Sequence, residues 1–347
     1  MRIGIFYGPA GGAHKACSIA LEERLVKLGH TVELLDISSN TSKGGQDKHS
    51  KVYAFFSDHL RFFSIFFNRF LGTSIGAFLF TRYMWFSLGK ELKELLTEKN
   101  FDVIINNYPH YTYILRRANN KKARLFNIVL DPFFVHRIWF DKDFDGIFLP
   151  HIDGYNSKLN LFRNYIKKVF VIGFPVREKF FTLIDTKPIK NTVLISGGGE
   201  GSKKILDIAH EVAKISEDFK ITVAVGKNLN LQKKVEEMEH HRIKYLAWTD
   251  SFPEEMAASE YIITKAGAST SYECLMLNSK VIIYDQMLPQ EKGIPEFLKN
   301  TSGAIYEASS KKIAKLIKEG NMVKKTPDFS KVDSAKLIIS KILELSK

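Results

Sequence analysis

Residues 261–298 read YIITKAGASTSYECLMLNSKVIIYDQMLPQEKGIPEFL, and this stretch decides the fold. YIIT (261–264) is a short apolar run, the composition of a buried strand. Lys265-Ala266-Gly267-Ala268-Ser269-Thr270 is a turn of small residues. Residues 271–277 read as a helix, VIIY (281–284) as a second strand and residues 285–293 as a polar loop. Strand, small turn, helix, strand is a βαβ unit. Its turn lies at the carboxyl end of a strand, where open α/β sheets take their ligands.

The chemistry of this unit suits a nucleoside diphosphate. Gly267 and Ala268 allow close approach to the backbone. The N–H groups and positive dipole end of the following helix attract phosphate oxygens. Ser269, Thr270 and Ser271 add hydroxyls. Glu273 falls in the first helical turn, where a carboxylate is favoured and can accept two ribose hydroxyls. Gln290 and Glu291, in the loop after the next strand, are placed to meet sugar hydroxyls. The plainer alternative is a helix capped by Ser269 or Thr270, with no ligand.

KAGASTSYE (265–273) followed by QEKG (290–293) resembles the donor-site signature of glycosyltransferases related to the monogalactosyldiacylglycerol synthases. That family includes processive diacylglycerol glycosyltransferases and is similar to the N-acetylglucosaminyltransferase that forms lipid II. The resemblance extends over nearly the whole chain and implies a glycosyltransferase-B fold: α/β, with two Rossmann-like domains facing a cleft. Lys280 and Ile294 stand where the family has Pro and Asn, so the identity of the donor sugar does not carry over.

Two more turns fit this resemblance. Residues 192–196 form an apolar strand, followed by Gly197-Gly198-Gly199-Glu200-Gly201 and a helix over 203–215. The family has the same GGGEG, and its amides at Gly198, Gly199 and Glu200 would face a diphosphate. At the amino terminus, strand 2–7, a turn at 8–12, helix 14–29 and strand 31–37 make another βαβ unit. The turn GPAGGAH lacks a Gly of the dinucleotide fingerprint. It resembles the family's GGGH loop, with Gly12 retained and Ala13 in place of the last Gly. This makes His14 the catalytic candidate, projecting toward the cleft. An imidazole at a helix start is held neutral and able to act as a base.

DPFFVHRIWF (131–140) matches the family's spacing of Asp131, His136 and Trp139, which are read as cleft or acceptor residues; Trp139 and Phe140 closing the core is the alternative. Asp141-Lys142-Asp143 is formally a D-x-D, a metal-holding pattern in another glycosyltransferase class. With no catalytic context it reads as a solvated turn, and no metal is assigned. His110, in the loop after strand 101–106, reads as a loop histidine near the acceptor side.

The 347 residues carry a net charge of +13, unevenly spread: +10 over residues 1–180 and +3 over 181–347. The first half therefore favours an anionic partner. No nucleic-acid motif is present, which leaves an anionic membrane surface. Residues 52–88 are dense in Phe, Tyr and Trp, with Arg61, Arg69 and Arg82 between them. The longest uncharged run, 70–81, is 12 residues, too short to span a bilayer. This composition suits an interfacial helix or a lipid-lined acceptor groove, and equally a buried hairpin or dimer face. Residues 91–99 read as a separate charged helix. Cys17 and Cys274 form no metal spacing or disulfide framework. The chain begins as a strand rather than a signal peptide, which points to a cytoplasmic protein, peripheral on the inner face of the membrane.

The expected organisation is an acceptor- and membrane-facing domain over 1–176, a donor domain over 191–330, and a last helix, 331–347, packing back on the first domain. The expected activity is inverting, metal-independent transfer of a hexose or N-acetylhexosamine from a UDP-sugar to a lipid hydroxyl, without a cofactor. The alternatives are an isomerase resembling UDP-N-acetylglucosamine 2-epimerase, and a noncatalytic membrane-bound partner that keeps only the fold.

Overall fold

The computed structural model describes residues 1–8, 12–37, 73–120, 122–133, 135, 137–153, 166–199, 201–238, 240–285 and 291–347. Two compact units emerge. The first is built from Met1–Ala10, His14–Pro175 and Asp333–Lys347; the second from Gly11–Ala13 and Val176–Val332.

The first unit holds β1 (Arg2–Tyr7), β2 (Thr31–Asp36), β3 (Val103–Asn106), β4 (Arg124–Ile128), β5 (Gly146–Leu149) and β6 (Val169–Val171). They form one sheet in the order β2-β1-β3-β4-β5-β6, every pair parallel. β3 and β5 are buried along their whole length, as a parallel sheet covered on both faces requires. The second unit holds β7 (Ile189–Ser196), β8 (Lys220–Gly226), β9 (Ile243–Ala247), β10 (Ser259–Lys265), β11 (Lys280–Asp285) and β12 (Ile305–Tyr306). Their order is β12-β11-β10-β7-β8-β9, again all parallel.

These orders place the sites. In the first sheet the chain runs from β1 to β2 on one side, then crosses to β3 on the other side of β1. In the second it runs β7, β8, β9 one way and returns to β10 on the other side of β7. Connections leave such a pair toward opposite faces and open a crevice beyond the strand ends. The crevice lies beside the β1 and β3 turns in the first unit. In the second it lies beside the β7 and β10 turns. The glycine-rich and small-residue turns read from the sequence are those turns.

One element differs from expectation. Residues 91–99 are not a separate helix: Ser74–Lys99 is a single 26-residue helix. Thr73 Oγ1 accepts from Gly76 N at 3.0 Å, and Asn100, in the left-handed region at φ 48°, closes the other end. Gly89 lies within it under the Trp85 ring, which leaves no room for a side chain there. Met84, Leu88, Leu92 and Leu96 recur every fourth residue and are buried toward the helix Thr112–Asn119. Ile75, Phe78, Leu79, Tyr83 and Phe86 are exposed, Phe86 by 84%. Of the aromatic stretch 52–88, residues 52–72 lie outside the described residues. Among the described residues, no helix is long and apolar enough to cross a membrane.

The helix Ser334–Leu345 belongs to the first unit. Asp333 caps it by accepting from Lys336 N at 3.0 Å and also pairs with Arg24 Nε at 2.9 Å. Ile338, Ile339 and Ile342 are buried, and Lys341 lies over the Phe170 ring at 5.2 Å.

Candidate active site

In the first unit the site is built from the start of the helix that follows β1 and from the segment after β3. The helix Gly12–Lys27 starts at Gly12, where a side chain would meet nothing within 4 Å among the described residues. His14 sits in its first turn. Nδ1 lies 2.5 Å from Asn107 O, directly after β3. A carbonyl only accepts, so Nδ1 carries the proton and Nε2 keeps its lone pair in the neutral ring. Among the described residues, nothing bonds Nε2. Burial pushes the His14 pKa down to about 4, against a smaller upward pull from the Asn107 carbonyl. The ring is therefore neutral at pH 7, with desolvation rather than the helix dipole as the main cause. Tyr108 meets it edge-on, ring centroids 5.1 Å apart.

A buried polar chain runs along the strand ends beside it. Asn106 Nδ2 donates to Asn127 Oδ1 at 2.7 Å, Asn127 Nδ2 to Trp139 O at 2.7 Å, and Trp139 Nε1 to Asp131 Oδ2 at 3.1 Å. Trp139 has no exposed surface. It is thus a core residue, and its indole N–H is taken up by Asp131. Burial raises the Asp131 pKa to about 6, opposed by the Trp139 indole. His136 lies outside the described residues. His110 packs between Tyr108 and Phe80, each ring 4.8 Å away.

The D-x-D is a surface turn, with Lys142 exposed and both carboxylates half-buried against one arginine. Arg116 Nε lies 2.8 Å from Asp141 and Nη1 3.3 Å from Asp143, so both carboxylates clamp one guanidinium.

In the second unit the turn after β7 has Gly198 at φ 76° and Gly201 at φ 73°, with Gly201 N donating to Gly198 O at 3.1 Å. A side chain at Gly197 would come within 2.5 Å of Ser202 N. Only glycine fits such a turn. Lys265, at the end of β10, lies across Gly198: a Cβ there would stand 2.6 Å from Lys265 Cε and 3.1 Å from Nζ. On the other side of the turn, Trp248 is 49% exposed and 3.5 Å from where a Gly199 side chain would begin; Lys227 Nζ lies 5.1 Å from its ring centroid.

The helix after β10 is Ala268–Met276, so Ser269 and Thr270 lie inside its first turn. Its N-cap is Gly267, with no side-chain cap, which removes the plainer reading of Ser269 or Thr270 as the cap. Among the described residues, a side chain at Gly267 would meet nothing within 4 Å, which leaves these N–H groups room for a partner. Glu273 falls in the second turn, not the first. It is 3% exposed, and its Oε1 accepts from Arg177 Nη2 at 3.0 Å and Ser269 Oγ at 3.3 Å. Glu291 is buried; Glu200 and Gln290 lie outside the described residues.

Asn107, Arg177, Trp248 and Lys265 join these sites without having been singled out from the sequence. The signal for Lys265 was present, since it opens the quoted KAGASTSYE. The other three come from distant segments and carry no local pattern.

Residues 14–176 match the family model for monogalactosyldiacylglycerol (MGDG) synthase, and residues 192–346 match the glycosyltransferase family 28 C-terminal domain. The chain is 26% identical over 286 residues to a processive diacylglycerol beta-glucosyltransferase of Bacillus licheniformis, covering 76% of this chain and 74% of that protein. It is 23% identical over 351 residues to the chloroplastic monogalactosyldiacylglycerol synthase 3 of Arabidopsis thaliana, covering 90% and 72%. Among solved structures, MurG of Acinetobacter baumannii matches with a TM-score of 0.55 at 12% identity, over 100% of this chain and 95% of that one. At that identity the likeness speaks for the fold alone.

Proposed function

The chain belongs to the monogalactosyldiacylglycerol synthase-like glycosyltransferases of the glycosyltransferase-B fold, and from that premise we propose that it transfers a hexose or N-acetylhexosamine from a UDP-sugar to the hydroxyl of a diacylglycerol-like lipid, with inversion. The observation that carries this reading is the switch point of the second sheet. There an uncapped helix start, a glycine turn and the Lys265 ammonium converge on one strand-end crevice, the donor set a diphosphate needs.

In this reading the diphosphate meets the amides of Gly198, Gly199 and residues 268–270. Glu273 takes the ribose, and Gln290 with Glu291 the sugar. His14 Nε2 takes the proton from the acceptor hydroxyl as its oxygen attacks the anomeric carbon. The bond to the departing UDP then breaks, and its growing charge falls on fixed N–H donors and Lys265. Such preorganised donors do the work of a divalent cation, so the reaction runs without one. Asp131 belongs to the acceptor side with Gly12.

The exposed face of Ser74–Lys99 supports peripheral binding to an anionic membrane. It presents Ile75, Phe78, Leu79, Tyr83 and Phe86 with Arg82, whose guanidinium lies 5.0 Å from the Phe78 ring centroid. Aromatic and aliphatic groups beside a cation suit the headgroup boundary.

The test is a panel of UDP-glucose, UDP-galactose and UDP-N-acetylglucosamine with vesicles of diacylglycerol and anionic phospholipid. Glycolipid and UDP should form together, and only when diacylglycerol is present. Isomerised sugar nucleotide formed without vesicles would point to an epimerase instead.

A further inference from the structure

Asn107 has no exposed surface and stands directly after β3, 93 positions from His14. Its own N–H is pinned to Phe6 O at 2.9 Å, so its place is set by the first sheet. From there it holds His14 twice. Its carbonyl accepts the Nδ1 proton at 2.5 Å, and its side-chain Nδ2 donates to the His14 backbone O at 2.9 Å. The same Nδ2 donates to Ser18 Oγ at 2.7 Å, one helical turn further on. Ring and main chain of one histidine are thus tied to one residue, across the β1–β3 switch point.

We propose that Asn107 is the positioning residue of proton transfer, fixing His14 in the tautomer whose Nε2 lone pair receives the acceptor proton. The inference rests on reading His14 as the base. The carbonyl alone orients the ring only while the helix start stays at a constant distance from β3. The side-chain amide supplies that constancy by binding the His14 carbonyl and the next turn together. Without it the first turn shifts, the Nδ1 bond lengthens, and the ring is free to turn over and carry its proton on Nε2. A ring protonated there donates to the acceptor oxygen instead of accepting from it. The carbonyl also faces the positive charge that forms on the ring during transfer, the part a carboxylate plays in a Ser-His-Asp triad.

The experiment combines nitrogen NMR of 15N-histidine-labelled protein at pH 7 with steady-state kinetics. The His14 signal is assigned by its loss in His14→Gln. Wild type should show one neutral tautomer, protonated at Nδ1. Asn107→Ala should show a mixture, with kcat down roughly 10–100-fold, as for other orienting partners, and the donor KM within about twofold. Asn107→Thr, whose hydroxyl can restore one bond to the His14 carbonyl, should recover part of both. Should Asn107→Ala not fold, Asn107→Leu, which keeps the bulk and lacks the donor, carries the same comparison. A single Nδ1–H tautomer in the variant that lacks a side-chain donor would overturn the proposal, whether kcat fell or held. Full transfer by His14→Gln would instead overturn the base reading, leaving the tautomer result to stand separately.

Discussion

At the scale of single residues, two groups in the first unit have their protonation set by burial in opposite directions. His14 is depressed from 6.5 to about 4, so the unfolded chain binds the extra proton between those values and stability falls as pH drops through that window. Asp131 is raised from 3.8 to about 6; there the folded protein binds the proton, and stability falls as pH rises through 6. At pH 7 Asp131 is a desolvated carboxylate whose one described partner is the Trp139 indole. Asp131→Asn keeps an acceptor for the indole and removes the charge. It should raise Tm at pH 7 and change it little near pH 3.5, as read by calorimetric scans at both values. On the order of 1 kcal/mol moves Tm by about 2–4 °C in a unit of this size. A lower Tm at pH 7 would show that the carboxylate is stabilised by more than the indole. His14 and Glu273 could be picked out as candidates from the sequence because each sits in a local motif. Asn107 and Arg177 could not, because their meaning comes from partners 93 and 96 positions away. Trp139 was open to two readings, cleft or acceptor residue and core residue, because spacing marks the position while burial decides what its ring can touch; the ring is fully buried.

At the scale of elements, the turns after β7 and β10 were readable because glycine and small residues declare a backbone need. The helix Ser74–Lys99 was not. Its composition changes from aromatic to charged near Gly89, and a composition change looks like a boundary. The backbone continues because the buried stripe Met84, Leu88, Leu92 and Leu96 keeps helical spacing through the change. The opposite face is the one proposed to meet lipid. Phe78→Ser with Phe86→Ser removes two rings that are 56% and 84% exposed. Partition onto anionic vesicles, measured by cosedimentation, should fall by roughly tenfold or more for each ring that inserts. Tm should stay within about a degree of wild type, since neither ring fills the core. Unchanged partition would move the membrane contact away from this face.

At the scale of the whole molecule, the first half carries most of the positive charge and the second is nearly balanced. The proposed reading uses this division: a first half that would meet an anionic surface, and a second that would hold a nucleotide by oriented amides more than by net charge. The two-sheet α/β organisation was legible because the βαβ pattern repeats, and each repeat gives the same answer. Strand order was not, because a sequence does not say on which side of a sheet the chain returns. Yet that order creates both switch points. If fixed donors carry the charge of the departing UDP, then EDTA should leave the initial rate of glycolipid formation unchanged. A rate lost with EDTA and restored by magnesium or manganese would contradict that part of the mechanism. The most direct measurement places sugar transfer to diacylglycerol beside UDP affinity in His14→Gln. The account predicts an unchanged Kd for UDP and transfer lowered by about 10²–10⁴-fold; transfer at the wild-type rate by a folded variant would contradict it.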